Sequence, residues 1–167
     1  MKLNKRRICA LIAWLLTAAW MVFIFLMSAK NAVQSGAMSG GLIKQLAPLI
    51  NTKFRLLDEV SQADFIESLQ GVVRTLAHFF EFTLLGALGF FAFRFTLNCR
   101  KKGVAFGVLM GCIYALTDEI HQIFVPGRTF QLKDILVDWG GILLGTAIAF
   151  VLCKFIEWIL TKRSVRK

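Results

Sequence analysis

The sequence predicts an all-α membrane protein: one domain of four transmembrane helices with both termini in the cytoplasm. Three observations predict this fold class. The chain is 57% hydrophobic with a mean hydropathy of +0.65, more apolar than soluble domains of its size. Its apolar residues form four segments long enough to cross a bilayer, which takes about 20 helical residues. Its basic residues lie in clusters between these segments, so the net charge of +10 indicates membrane topology and not nucleic-acid binding.

The four predicted spans cover residues 8–27, 75–97, 104–124 and 135–160. The first resembles a signal peptide, because basic residues precede its apolar stretch. That stretch is longer than a typical signal core, and Met27, Ser28 and Ala29 make a poor cleavage site. We therefore expect an uncleaved membrane anchor.

The positive-inside rule gives the orientation of the spans. Basic clusters precede the first span, fill the loop at 98–103 and follow the last span: Lys2, Lys5, Arg6, Arg7, Arg100, Lys101, Lys102, Lys162, Arg163, Arg166 and Lys167. The loops at 28–74 and 125–134 mix basic with acidic residues. We therefore place the termini and the 98–103 loop in the cytoplasm and the two mixed loops outside.

The long outer loop carries two amphipathic patterns, which Pro48 and the region of Asn51 separate. The first places apolar residues at helical spacing from Leu42 to Ile50. The second begins with a capping-box pattern at Ser61 and continues as an apolar stripe to Val73. We expect two short helices that lie on the outer membrane surface or cap the bundle.

This topology gathers polar residues from three spans and one loop into a single layer at the outer end. The layer holds both histidines of the chain and five of its ten acids: Arg74, His78, Glu81, Asp118, Glu119, His121, Gln122, Arg128, Asp134 and Asp138. Helical spacing places Arg74, His78 and Glu81 on one face of the second span. Charged groups inside a membrane are costly and usually mark function, so we predict an outward-facing polar pocket. The plainer interpretation is a solvated set of helix ends with ion pairs such as Arg128 with Asp134.

Glycines extend the polar faces toward the middle of the membrane. Asp138 shares a stripe with Gly141 and Gly145. A second stripe, on the third span, consists of Gly103, Gly107 and Gly111. Glycine lets helices approach closely in membranes, so we expect the carboxylate faces to point into the bundle. The same stripes also suit a homo-oligomer.

Cysteine usage gives no sign of a metal or redox site. Cys9, Cys99, Cys112 and Cys153 show no C-x-x-C spacing, and we expect four free thiols.

Three segments resemble the VanZ-like family of small bacterial membrane proteins: RTLAHFFEF at 74–82, TDEIHQIFVPGR at 117–128 and KDILVDWGGILLG at 133–145. The family pattern has a basic residue and His-Phe-x-Glu, then Asp-Glu-x-x-Gln-x-Phe, a turn with Arg, and Asp before a glycine-rich helix. Ser28 also matches a serine common at the end of the first span. In two departures, Asp138 stands where the family typically has Asn, and His121 occupies a variable position. The founding members are linked to lowered susceptibility to teicoplanin-type glycopeptide antibiotics.

The resemblance and the polar layer together suggest a protein that binds or modifies a cell-envelope component. That component would be a membrane lipid, a lipid-linked cell-wall precursor or a glycopeptide antibiotic, and binding it would lower glycopeptide susceptibility. Arg74 and Arg128 would hold a phosphate or carboxylate. The full predicted ligand-binding set is Arg74, His78, Glu81, Asp118, Glu119, Gln122, Arg128, Asp134 and Asp138. We predict no cofactor, no metal and no nucleic-acid partner.

An enzyme acting on an envelope lipid is the main alternative, with Glu119, His78 and Glu81 as the catalytic candidates. It would work by acid–base chemistry or with a divalent ion held by His78, Glu81, Asp118 and His121. No H-E-x-x-H motif or nucleophile elbow supports it. Proton or ion transport is less favoured, because the inner halves of the last three spans are apolar apart from Arg94, Lys154 and Glu157 near their inner ends.

Overall fold

The computed structural model describes residues 4–165, and these residues form five α-helices, one short 3-10 turn and no strand. The helices are α1 (Lys5–Ser28), α2 (Ala32–Ile50), α3 (Glu59–Leu97), α4 (Arg100–Gln122) and α5 (Leu132–Val165), and the 3-10 turn is Phe54–Leu56. Three basic residues used for the predicted topology lie outside the described residues, namely Lys2, Arg166 and Lys167, as does the side chain of Arg163.

Helices α1, α3, α4 and α5 are each long and apolar enough to cross a membrane. This confirms the all-α class and the four predicted spans. The helices extend past most of the predicted limits because helical hydrogen bonding continues through the flanking polar residues. Helix α5, for example, begins at Leu132 and runs past residue 160 to Val165.

The long loop between the first two spans differs from its prediction. Helix α2 contains the first amphipathic pattern, but it begins earlier, at Ala32, and continues through Pro48 to Ile50. Asn31 caps it, since its side chain accepts from the backbone N–H of Gln34 and the Gln34 side chain accepts from the N–H of Asn31. The break in the loop therefore lies at Asn51 and not at Pro48.

The second amphipathic pattern is not a separate helix, and the predicted cap at Ser61 is wrong. Helix α3 begins two residues earlier, at Glu59, and runs unbroken for 39 residues, about 58 Å at 1.5 Å per residue. No residue between Ser61 and the span stops a helix, because Gly71 alone costs only about 1 kcal/mol. The hydrocarbon core is about 30 Å thick, so one end of α3 extends well beyond it.

Helix α3 is the centre of the bundle, and each of the other four α-helices packs against it. Between the polar layer and the opposite end, the interior is filled by Ile24, Phe82, Leu85, Ala115 and Ile142, all fully buried. The Trp20 indole donates to the carbonyl of Glu81 at 2.8 Å, and the Tyr114 hydroxyl donates to the carbonyl of Met21 at 2.6 Å. These bonds fix α1 against α3 and α4 just inside the polar layer.

The glycine stripes lie where the backbones approach most closely. A Cβ atom at Gly145 would overlap the carbonyl oxygen of Thr83 on α3, and one at Gly107 would lie 2.9 Å from the backbone nitrogen of Phe90. The predicted close helix contacts are therefore present within one chain: α3 packs against both stripes, and Ile142 of α5 packs against Gly111. Homo-oligomerisation stays a prediction.

Candidate functional site

The first wall of the site is the last turn and a half of α4. Asp118, Glu119 and Gln122 are 3%, 1% and 2% exposed, so these polar side chains are almost entirely buried. Spacings of one and four residues place them on the face of α4 that points into the bundle. This agrees with the expectation that the carboxylate faces point inward.

Asp118 joins α1 to α4. Its Oδ2 atom accepts from the Ser28 hydroxyl at 2.9 Å and from the Gln122 side-chain amide at 3.0 Å. Its Oδ1 atom is buried and has no hydrogen-bond partner within residues 4–165. One carboxylate oxygen therefore joins the two helices, and the other has no partner in the described chain.

Glu119 connects α4 to the start of α5, and its two carboxylate oxygens differ in the same way as those of Asp118. Its Oε1 atom accepts from the backbone N–H of Gln131, just before α5 begins. Its Oε2 atom is buried, and no donor in the described chain reaches it. Asp118 and Glu119 thus each present one bare oxygen inside the polar layer.

The second wall is formed by α3 and α5, where His78 and Asp138 face each other. The His78 Nδ1 atom lies 3.7 Å from Oδ1 of Asp138, which exceeds a hydrogen-bond length. Asp138 is 1% exposed, and neither of these two atoms has another partner among the described residues. A small shift or a bridging group would connect the two side chains.

The Pro-Gly segment after α4 reverses the chain, as predicted. The N–H of Arg128 donates to the carbonyl of Val125 at 3.0 Å, and Gly127 has a positive φ of +76°. Proline followed by a residue with positive φ is the pattern of a type II turn. The Pro126 carbonyl accepts from the N–H of Ala32 at 3.3 Å, so the turn rests on the start of α2. Arg128 is thereby carried back over the bundle.

Arg74 and Arg128 line the same small cavity, of about 60 Å³, which Ser28, His78 and Glu81 also line. Within residues 4–165, no carboxylate oxygen lies within 4.0 Å of either guanidinium. The ion pair of Arg128 with Asp134, an example under the plainer interpretation, is therefore absent. Burial, and then the neighbouring Arg74, lower the pKa of Arg128. Arginine still keeps its charge, so two cations line one cavity, and no carboxylate oxygen of the described chain lies within 4.0 Å of them.

Two further cavities adjoin the first, and Arg74 lines all three. One is polar, about 140 Å³ in volume, and includes His78, Lys133 and Asp134 in its lining. The other, about 210 Å³, lies between α1, α2 and α3. Two larger hollows, of about 500 and 440 Å³, have mainly apolar linings and include none of the predicted site residues.

His121 is turned away from this arrangement, against α1. Its ring packs on Phe25 with the ring centroids 4.6 Å apart. No group of three or more His, Cys, Asp or Glu side chains in the described part of the chain is placed to hold a metal ion. The alternative ligand set of His78, Glu81, Asp118 and His121 is thus not brought together.

Sequence reasoning missed the contribution of α2 and of the segment that leads into it. Ser35 lines the 60 Å³ cavity with Met27, and both residues also line the 210 Å³ cavity with Lys30. The spacing of Asn31 and Gln34 was the available signal, because an Asn with Gln three residues later marks a helix start.

The sequence was also compared with known proteins. The family model VanZ/LLP1 matches residues 13–154, which is most of the chain and includes both walls of the site. No curated protein and no solved structure matches the chain. The chain therefore belongs to the VanZ/LLP1 family.

Proposed function

We propose that this protein binds an anionic component of the cell envelope, in the cavity that Arg74 and Arg128 share. The observation that carries the proposal is the pair of guanidiniums without a carboxylate partner in residues 4–165. Two neighbouring, partly buried cations repel each other, and an anion between them would relieve this repulsion. A phosphate or carboxylate would accept paired hydrogen bonds from each guanidinium.

The size of the cavity suits a small anionic group. A cavity needs a volume of about 10–15 Å³ to hold one water. The cavity of 60 Å³ therefore accommodates a group of a few non-hydrogen atoms beside the guanidiniums. The remainder of a larger ligand would extend into the adjoining 140 and 210 Å³ cavities. Arg74 lines both of these cavities as well as the first, so an anion bound to it would lie where the three cavities adjoin.

The bare carboxylate oxygens supply a second kind of recognition. Asp118 Oδ1 and Glu119 Oε2 are acceptors without donors in the described chain, and sugar hydroxyls or peptide N–H groups are suitable donors. A lipid-linked cell-wall precursor combines such donors with phosphate groups. Binding it at the outer leaflet would compete with glycopeptide antibiotics, which would lower susceptibility to them. The antibiotic itself is the second ligand that family membership suggests.

The direct test is photo-crosslinking in membranes with a photoactivatable lipid-linked precursor and with a labelled teicoplanin. We expect the precursor to label the wild type, and labelling to fall roughly tenfold or more in Arg74→Gln, Arg128→Gln and Glu119→Gln. The matched control is Arg55→Gln, which removes an exposed arginine of the outer loop. Equal labelling of wild type and variants by both probes would contradict the proposal.

An enzyme is the second candidate, and the facing of His78 and Asp138 favours it. The imidazole lies 3.7 Å from the carboxylate and lines the same cavity as Glu81. An imidazole that faces a carboxylate is suited to proton transfer to or from a ligand bound beside them. Mass spectrometry of the crosslinked or extracted precursor tests this candidate, since an enzyme would change the mass of the ligand. His78→Gln would then abolish the mass change while retaining binding.

Proton or ion transport is opposed by the packing of the bundle. The apolar core of Ile24, Phe82, Leu85, Ala115 and Ile142 lies between the polar layer and the other end. A conducting path needs polar groups or water through the whole thickness.

A further inference from the structure

Lys30, between α1 and α2, is a third cation of the site. Its ammonium group contacts two thioether sulfurs, Met38 at 2.9 Å and Met27 at 3.4 Å. No carboxylate oxygen lies within 4.0 Å of it in the part of the chain that the structure describes. Sulfur is a weak hydrogen-bond acceptor, so these contacts do not neutralise the charge.

Lys30 and Arg74 both line the 210 Å³ cavity, whose other walls are largely apolar. The apolar contributions come from α2 and α3, with Met38, Leu42, Val73 and Ala77. Met27, Ser35 and Arg74 line this cavity and the 60 Å³ cavity alike, so the two spaces adjoin. The combined space therefore brings three cations together with a largely apolar lining.

We propose that the ligand is an anionic lipid whose head group carries more than one negative charge and is held by Lys30, Arg74 and Arg128. Its hydrocarbon chain begins in the cavity between α1, α2 and α3. A phosphomonoester or a pyrophosphate on a long apolar chain has this chemistry. The inference rests on the proposed function and adds the class of ligand to it.

Charge and polarity select this class over the alternatives. A head group with one negative charge has too few acceptor oxygens and too little charge to pair closely with three cations, none of which has a carboxylate oxygen within 4.0 Å in the described chain. A free phosphate would satisfy the cations but leave the apolar cavity to water. A sugar or peptide there would place hydroxyl or amide groups against Leu42, Val73 and Ala77, which offer no hydrogen bonds.

Native mass spectrometry of the purified full chain tests the proposal with three defined probes. These are dioleoyl phosphatidic acid, with a phosphomonoester head, dioleoyl phosphatidylglycerol, with one negative charge, and dihexanoyl phosphatidic acid, with short chains. We expect the long-chain phosphatidic acid to bind roughly tenfold or more tightly than either of the other two.

Two variants separate the head-group contacts from the chain contacts. Lys30→Gln should remove most of the preference for phosphatidic acid over phosphatidylglycerol, whereas Lys44→Gln, at an exposed position of α2, should keep it. Val73→Trp should weaken long-chain binding several-fold and leave short-chain binding unchanged, because Val73 lines the apolar cavity and not the 60 Å³ cavity. Val73→Phe, which fills less space, is the second variant if Val73→Trp fails to fold.

The outcomes distinguish this inference from the proposed function. Equal binding of the two long-chain lipids by the wild type would overturn the multiply charged head group. Equal binding of short- and long-chain phosphatidic acid by the wild type would overturn the chain site. If Arg74→Gln then lost the binding of both phosphatidic acids, the proposed function would still stand. Binding of all probes unchanged in Arg74→Gln and Arg128→Gln would overturn both.

Discussion

At the scale of single residues, the site is built from side chains that are only half satisfied. The Oδ2 atom of Asp118 accepts two hydrogen bonds, while its Oδ1 atom accepts none within the described chain. Glu119 repeats the division, with Oε1 bound to the backbone and Oε2 bare. A buried acceptor without a donor costs stability, so such groups are expected where a ligand completes the network.

Asp118→Ala should destabilise the protein measurably. The substitution removes the acceptor of two buried donors, the Ser28 hydroxyl and the Gln122 amide. Leaving a buried donor unsatisfied costs about 1–3 kcal/mol, so we expect a Tm lowered by several degrees in a thermal melt of the detergent-solubilised protein. Asp118→Asn keeps a side-chain oxygen at the site and should lose less.

Asp64→Ala is the matched control, because Asp64 is an exposed acid on α3. Its Tm should equal that of the wild type. A melt in which Asp118→Ala and Asp64→Ala behave alike would mean that the bonds on Asp118 do not hold α1 to α4.

At the scale of elements, α2 forms a wall of the cavities without being one of the four candidate spans. Its start is fixed by the reciprocal bonds of Asn31 and Gln34 and by the turn at Pro126, whose carbonyl accepts from Ala32. The cation Lys30 lies one residue before this cap. The position of the ammonium group therefore depends on how well α2 is capped.

Asn31→Ala should loosen the first turn of α2. Loss of an Asn cap costs about 1 kcal/mol, so hydrogen exchange in residues 32–36 should speed up by roughly fivefold. Asn51→Ala, at the opposite end of α2, should leave exchange at 32–36 unchanged. If both variants exchange alike at this turn, the cap does not determine the order of the helix start.

Gly145→Ala should separate α3 from α5. The added methyl would overlap the Thr83 carbonyl oxygen, a backbone atom that cannot turn aside. Overpacking of this kind costs about 1–3 kcal/mol. We therefore expect a lower Tm and a lower affinity for any ligand bound between the helices. Gly41→Ala is the control, because nothing lies within 4 Å of its added methyl and a helical alanine is favoured. A Gly145→Ala protein as stable as Gly41→Ala would contradict the close contact.

Sequence patterns predicted the parts of this fold that follow from how apolar and polar residues alternate along the chain. Apolar length gave the four spans, and helical spacing gave the burial of Asp118, Glu119 and Asp138. The start of α3 could not be predicted, because a capping pattern at Ser61 competes with an equally good helix start at Glu59. The role of Lys30 was hidden for a different reason. Met27 and Met38 count as apolar residues in the sequence patterns. Only the packed structure shows that their sulfur atoms contact the ammonium group of Lys30.

At the scale of the whole molecule, the two ends of the bundle differ in how their charges are satisfied. At the end away from the polar layer, Glu157 on α5 accepts from Arg94 at 3.2 Å and forms an ion pair with Arg100 at 3.1 Å. This ion-pair group joins the ends of α3, α4 and α5. At the other end, Lys30, Arg74 and Arg128 have no carboxylate partner among residues 4–165. The paired end resembles a structural clamp, and the unpaired end a binding surface.

The proposed function requires the unpaired end to face outward, and thiol labelling in a cysteine-free background tests this. Restored Cys99, beside the paired end, should react with a membrane-impermeant maleimide only after the cells are permeabilised. Lys53→Cys, in the loop between α2 and α3, should react in intact cells. The N–H of Lys102 lowers the pKa of the Cys99 thiol, so its labelling should reach half-maximum at a lower pH than that of Lys53→Cys. Labelling of Cys99 in intact cells, with Lys53→Cys protected, would reverse the orientation and place the three cations on the cytoplasmic side.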